Sequence, residues 1–197
     1  MCIRDSKQRF AEQGWDQNTQ GRYGMLENID DNFGLLMQKL DEWKLWDDTL
    51  VIFMTDNGQA SRSGKLNGKQ QPIFTAGFKT GKGSPFEGGT HVPAFWRWKG
   101  KLGEGVDIPA LTAHIDLFKT ICQLAGCSIP EGIQQIDGRT MVPLLEDPKT
   151  EWPGRELFFH VGRWEKGENP DLSKFKRCAV RTPRWRFVNN RELYDIT

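Results

Sequence analysis

Apolar residues recur at helical spacing through residues 20–46. Ile29, Phe33, Leu36, Leu40 and Trp43 follow i, i+4, i+7, i+11 and i+14, the stripe of an amphipathic helix facing a core. The pattern then changes. Leu50 to Met54 is an unbroken apolar run rich in β-formers, which predicts a strand buried on both faces, as in a parallel sheet flanked by helices. Helix followed by strand predicts an α/β unit. Residues 58–90 are rich in Gly, Ser, Asn and Lys and hold no period, which predicts a long functional loop. Residues 92–98, VPAFWRW, predict a second apolar strand. Leu117, Ile121 and Leu124 mark a second helix, with Gly126 at its C-terminal cap and Pro130 barring continuation. GRTMVPLLEDP predicts a short helical turn and a linker. From residue 156 onward ELFFHV, KRCAVRT, WRFVNN and ELYDIT alternate with polar turns, which predicts a small antiparallel sheet with its own packing face.

Composition narrows the class without naming it. A length of 197 residues suits one domain with a small appendage, and 37% hydrophobic with 27% charged residues describes a globular chain rather than a disordered one. Net charge is +1 with no basic stripe, so nothing argues for nucleic acid as a partner. No apolar run reaches membrane-spanning length, so no membrane partner is expected. Four cysteines, Cys2, Cys122, Cys127 and Cys178, form no CxxC pair and no zinc spacing. Cys122, in an apolar run, is expected as a buried free thiol. The opening MCIRDS has neither an apolar signal-peptide core nor a helix cap, and residues 1–6 read as a non-native leader.

Two stretches carry candidate chemistry. TDNG places Asp56 and Asn57 directly after the first strand, at the end where open α/β sheets bind ligands. A carboxylate beside an amide carbonyl is an all-oxygen pair that suits Ca²⁺ or Mg²⁺, and Gly58 lets the backbone turn away. Taken alone, TDNG reads better as a strand-ending turn. KTGKGSPFEGGTHVP places Lys82 between Gly81 and Gly83, where backbone N–H groups and an ammonium suit a sulfate or phosphate ester. It is not a Walker A loop. A solvated surface loop is the competing reading. Further along, Arg163 and Trp164 follow a strand run and could hold a sulfate or carboxylate and a sugar face, with a simple loop anchor as the equal alternative. Asp30 and Asp31 lie off the apolar stripe, on a solvated face.

Together these motifs resemble the type I sulfatases of the alkaline-phosphatase superfamily, the arylsulfatases in particular. MLENIDDNFGLLMQKLDEWKLWDDTLVIFMTDNG, GKGSPFEGGTHVP, HIDLFKTICQLAG, DGRTMVPLL and ELYDI occur in the family's order. The resemblance implies an alkaline-phosphatase-like α/β fold, its mostly parallel sheet flanked by helices and present in part over residues 7–150, with a small β-rich subdomain over 151–197. It implies that Asp56 and Asn57 are calcium ligands, that Asp56 also hydrogen-bonds the nucleophile, and that Lys82 contacts the substrate sulfate. The substrate class implied is an aryl or carbohydrate sulfate ester, and the implied parent enzyme is periplasmic or extracellular. The family nucleophile is a formylglycine made in a Cys/Ser-x-Pro-x-Arg motif, which this sequence does not contain. The family's early aspartate pair is also absent, and His91 stands where arginine is common. The chain is therefore expected to be an inactive C-terminal portion of a sulfatase. A phosphoester or phosphonate hydrolase of the same superfamily, and a binding module, remain as alternatives.

Overall fold

The computed structural model describes residues 3–60, 62–129, 131–133 and 135–197, with side chains from residue 6 onward. Pro130 and Cys2, singled out above, lie outside the described residues. The chain divides into two compact units, residues 1–99 and 100–197.

The first unit opens with α1 (Ile3–Glu12) and α2 (Gln17–Glu42). Residues 3–6, read above as part of a leader, belong to α1, and the side chain of Ser6 is 5% exposed. Asp16 caps α2: its Oδ1 accepts the N–H groups of Asn18 and Thr19 at 3.0 and 3.2 Å, satisfying donors that have no partner within the helix. The two helices meet through aromatic contacts, with Tyr23 5.3 Å from Phe10 and 5.4 Å from Trp15 between ring centroids. An Arg9–Glu27 ion pair at 2.8 Å lies alongside.

The predicted stripe of α2 is only partly covered. Leu40 is buried and Phe33 packs 5.2 Å from Phe53, but Ile29, Leu36 and Trp43 are 48%, 50% and 66% exposed. The reason lies in the sheet opposite. β1 (Val51–Met54) has one neighbour, β4 (Ala94–Arg97), and two strands are too narrow to cover a helix of 26 residues. Val51 faces Arg97 and Met54 faces Ala94, an antiparallel pairing. The parallel pairing expected from the apolar run is thus corrected for this chain: every strand pair among the described residues is antiparallel. A continuous apolar run reports how much burial a strand can use, not the direction of its neighbour. All four β1 residues are half-buried.

Residues 58–90 are not one irregular loop. They hold a hairpin, β2 (Ser63–Leu66) and β3 (Lys69–Pro72), and a single helical turn, α3 (Glu87–Thr90). Asn67 and Gly68 both have positive φ, 49° and 77°, as a two-residue hairpin turn requires. The hairpin is polar on both faces, which is why periodicity missed it. The Asn-Gly dipeptide was the available signal.

The second unit follows the sequence reading closely. α4 (Leu117–Leu124) and α5 (Val142–Glu146) precede a four-stranded antiparallel sheet of β5 (Leu157–His160), β6 (Cys178–Arg181), β7 (Trp185–Val188) and β8 (Glu192–Asp195), in chain order. Gly126, just past α4, has φ 66°, which removes the penalty a Cβ would bring there. One face of the sheet builds the core, with Leu157, Ala179, Arg186 and Val188 all buried. The Arg186 guanidinium lies 5.2 Å from the Phe159 ring centroid. Asp116 anchors the unit's first half. It accepts backbone N–H groups of Ala113 and Arg139 at 2.7 and 2.8 Å and pairs with Arg155 at 2.7 Å. Cys122 and Cys178 are free and half-buried, so Cys122 is less enclosed than its apolar context predicts.

Candidate functional site

β1 delivers Thr55 to Gln59 at its carboxyl end. Thr55 turns its hydroxyl back to donate to the Asn57 carbonyl at 3.2 Å, which shapes the turn. Asp56 points into solvent. The Asn57 Oδ1 differs: it is buried, and no donor among the described residues reaches it. A buried acceptor left without a donor costs about 1–3 kcal/mol, so such an oxygen marks a place where a donor or cation belongs.

The lysine loop is bound to this turn by backbone. Lys82 donates its N–H to the Gln59 carbonyl at 2.9 Å, and Gly58 donates to the Gly89 carbonyl at 3.0 Å. Glycine makes the approach feasible. A Cβ on Gly58 would lie 1.8 Å from the Gly88 carbonyl oxygen, and one on Gly81 would lie 2.6 Å from that of Gln59. Gly88 and Gly89 are equally enclosed, by carbonyls of Lys79, Thr80, Gly81 and Ser84. The Glu-Gly-Gly of the sequence is therefore a packing requirement.

Within the loop, Thr80 and Ser84 share a hydroxyl hydrogen bond at 2.6 Å, and Ser84 Oγ accepts the Phe86 N–H at 3.1 Å. The Lys79 ammonium lies 4.3 Å from the centroid of the Phe86 ring. Lys82 is exposed and forms no ion pair among the described residues. The structure thus brings Asp56, Asn57 and Lys82 onto two loops joined by hydrogen bonds. His91 stacks on Phe78 at 4.7 Å and meets Glu87 at 3.0 Å, so its ring is engaged in local packing.

Arg163 and Trp164 lie in the second unit, on the exposed segment after β5, with Trp164 50% exposed. His114 and Asp116 form a 3₁₀ turn leading into α4. The Asp116 carboxylate is fully engaged with backbone and Arg155, which makes it structural. Among the described residues no cluster of three or more His, Cys, Asp or Glu is arranged to hold a metal. No helix among them is long and apolar enough to cross a membrane.

A family model described as Sulfatase matches residues 3–127, and one described as N-sulphoglucosamine sulphohydrolase, C-terminal, matches residues 82–197. The chain belongs to the sulfatase family of the alkaline-phosphatase superfamily. It is 37% identical over 145 residues to the steryl-sulfatase of Homo sapiens, covering 71% of this chain and 24% of that protein. It is 35% identical over 143 residues to the N-acetylgalactosamine-6-sulfatase of Homo sapiens, covering 72% and 26%. The solved structure of Ps i-CgsB in complex with k-i-k-neocarrahexaose superposes with a TM-score of 0.64 at 26% identity, over 90% of this chain and 36% of that one. The chain spans about a quarter of the length of the curated relatives it matches. The fold is alkaline-phosphatase-like, with the C-terminal antiparallel sheet expected above, here of four strands.

Proposed function

We propose that this chain supplies the metal edge and the anion-binding lysine of a sulfate ester hydrolase site that acts on aryl or carbohydrate sulfates. The observation that carries the reading is the double backbone clamp, Gly58 to Gly89 and Lys82 to Gln59, which holds Asp56, Asn57 and Lys82 in one local assembly. Their donor set fits a hard cation: one exposed carboxylate and one buried amide oxygen without a donor. Calcium, when bound, would supply Lewis-acid charge and a template for the ester oxygens.

The chain's own residues do the rest. Asp56 and Asn57 offer oxygens, and family resemblance gives Asp56 a further hydrogen bond to the nucleophile. Lys82 places an ammonium against the sulfuryl oxygens, where charge grows as the ester bond breaks. Arg163 and Trp164 are proposed as substrate contacts. In a polypeptide with turnover, Arg163→Ala leaving kcat/KM unchanged would remove Arg163 from that role.

Two oxygens cannot complete a six- to eight-oxygen calcium shell, and the formylglycine motif is absent from the sequence. Negligible hydrolysis of p-nitrophenyl sulfate is therefore expected from the purified chain alone. Restoring turnover calls for co-expression with flanking coding sequence that contains a Cys/Ser-x-Pro-x-Arg motif. Activity so restored should fall about 10²–10³-fold with Lys82→Ala. Robust turnover by the chain alone, or restored turnover indifferent to Lys82, would overturn the reading. Preference for p-nitrophenyl phosphate in the restored enzyme would move it to the phosphoester branch of the superfamily.

A further inference from the structure

A polar cavity lies away from Asp56, between the first turn of α2 and β2. It measures about 410 Å³ and is lined by Asp16, Asn18, Arg22, Ser63, Lys65 and Gln70, among others. That volume is within the range of small-molecule sites. We propose that this cleft is a binding subsite for the acidic group of a saccharide, a carboxylate or a sulfate.

Asp16 is fully occupied. It accepts the N–H groups of Asn18 and Thr19, the Thr19 hydroxyl at 2.7 Å and the Lys65 N–H at 2.6 Å. These bonds tie its carboxylate to the helix terminus and to the β2 backbone. Arg22 is the reverse case: its Nη1 is buried and has no hydrogen-bond partner among the described residues. Leaving a guanidinium donor buried and unpaired is costly, and an oxyanion that can accept two parallel N–H bonds is its natural complement. Lys65 adds a second cation on the same wall, so the charged groups here sum to one excess positive charge. The amides of Asn18 and Gln70 and the hydroxyl of Ser63 offer donors and acceptors of the kind that read sugar hydroxyls.

The cleft is built rather than incidental. A Cβ on Gly64 would lie 2.3 Å from Thr19 Oγ1, so β2 lies directly against α2. The Asp16 N–H also donates to the Lys65 carbonyl at 2.8 Å, making a two-way link with the strand. β2 also connects the cleft to the lysine loop. Arg62, the residue before it, donates to the Phe78 carbonyl at 3.4 Å and accepts the Ile73 N–H at 2.9 Å. The saccharide as ligand class rests on the sulfatase reading; the anion site rests on Arg22 and Lys65.

The test is an amide NMR titration of the ¹⁵N-labelled chain with glucosamine 6-sulfate, with glucuronate and, as a neutral control, with glucose. The expected result is saturable shifts at residues 17–22 and 63–65 with one or both acidic sugars and none with glucose. Lys65→Gln and Arg22→Gln should each weaken this response about tenfold, while Lys82→Ala leaves it intact. Lys65 is exposed on a strand, so its variant remains informative if Arg22→Gln does not fold. Shifts confined to residues 81–89 would overturn the cleft and leave the proposed function standing. Shifts in the cleft that survive Lys65→Gln, or that glucose reproduces, would overturn the cleft as an anion subsite. A cleft response with none at residues 81–89 would support the subsite and count against the Lys82 assignment.

Discussion

Gly58 donates its N–H to the Gly89 carbonyl at 3.0 Å, an approach so close that a Cβ on Gly58 would lie 1.8 Å from the neighbouring Gly88 oxygen. This contact ties the strand-end turn to the lysine loop. A Cβ on Gly89 would likewise lie 2.2 Å from the Ser84 carbonyl oxygen, so both positions require glycine.

Replacing Gly58 by alanine should force these two loops apart. Overpacking a tight contact costs about 1–3 kcal/mol, and here the clash is with backbone that cannot rotate away. Thermal unfolding of the chain should show a clearly lowered midpoint, with amide shifts spread over residues 81–89. An unchanged midpoint would mean that the two loops are not held together in solution.

The Asp116–Arg155 pair should be the most sensitive polar contact in the second unit. Both side chains are buried, and Asp116 also orders the backbone at Ala113 and Arg139. Breaking a buried pair by removing one partner costs about 3–5 kcal/mol. Urea unfolding of Asp116→Ala should show a loss of that order. Asp116→Leu combined with Arg155→Leu should cost less than the two single changes summed, because neither charge is then stranded. A loss under about 1 kcal/mol for Asp116→Ala would show the pair to be dispensable.

Acid should loosen the start of α2 through Asp16. Hydrogen bonds from the Lys65 N–H and then the Thr19 hydroxyl hold its carboxyl at about 2, below the ordinary 3.8. A depressed value stabilises the fold above the unfolded-state pKa and loses that effect as pH falls through the folded one. The difference in unfolding midpoint between the native chain and Asp16→Ala should therefore be full above about pH 4 and shrink towards pH 2. A difference that is flat across this window would contradict the assignment.

How much of this could be read from the residues depends on which physical signal each element carries. β4 through β8, α4 and α5 were legible because short apolar runs and turn residues mark them directly, as Gly126 marks the end of α4. The β2–β3 hairpin was not legible by period, because residues 63–72 are polar on both faces; only Asn67-Gly68 announced it. The direction of β1 was not legible either, since Val51 to Met54 would look the same beside a parallel neighbour. Asp56, Asn57 and Lys82 stand out as candidates by motif, but motif alone could not show that the Asn57 oxygen is buried without a donor among the described residues. The Arg22 cleft left no sequence signal, because it forms from segments about 40 residues apart.

The central claim is that Asp56 and Asn57 form a cation-binding edge next to Lys82. It is tested most directly by titrating the ¹⁵N-labelled chain with CaCl₂. The expected result is saturable shifts at residues 55–59 and 81–89, with a dissociation constant of about 10⁻³ M or weaker, because complete shells reach about that value only in their weakest class. Asp56→Ala should abolish them. No calcium-dependent shift at residues 55–59, or the same shifts in Asp56→Ala, would contradict it.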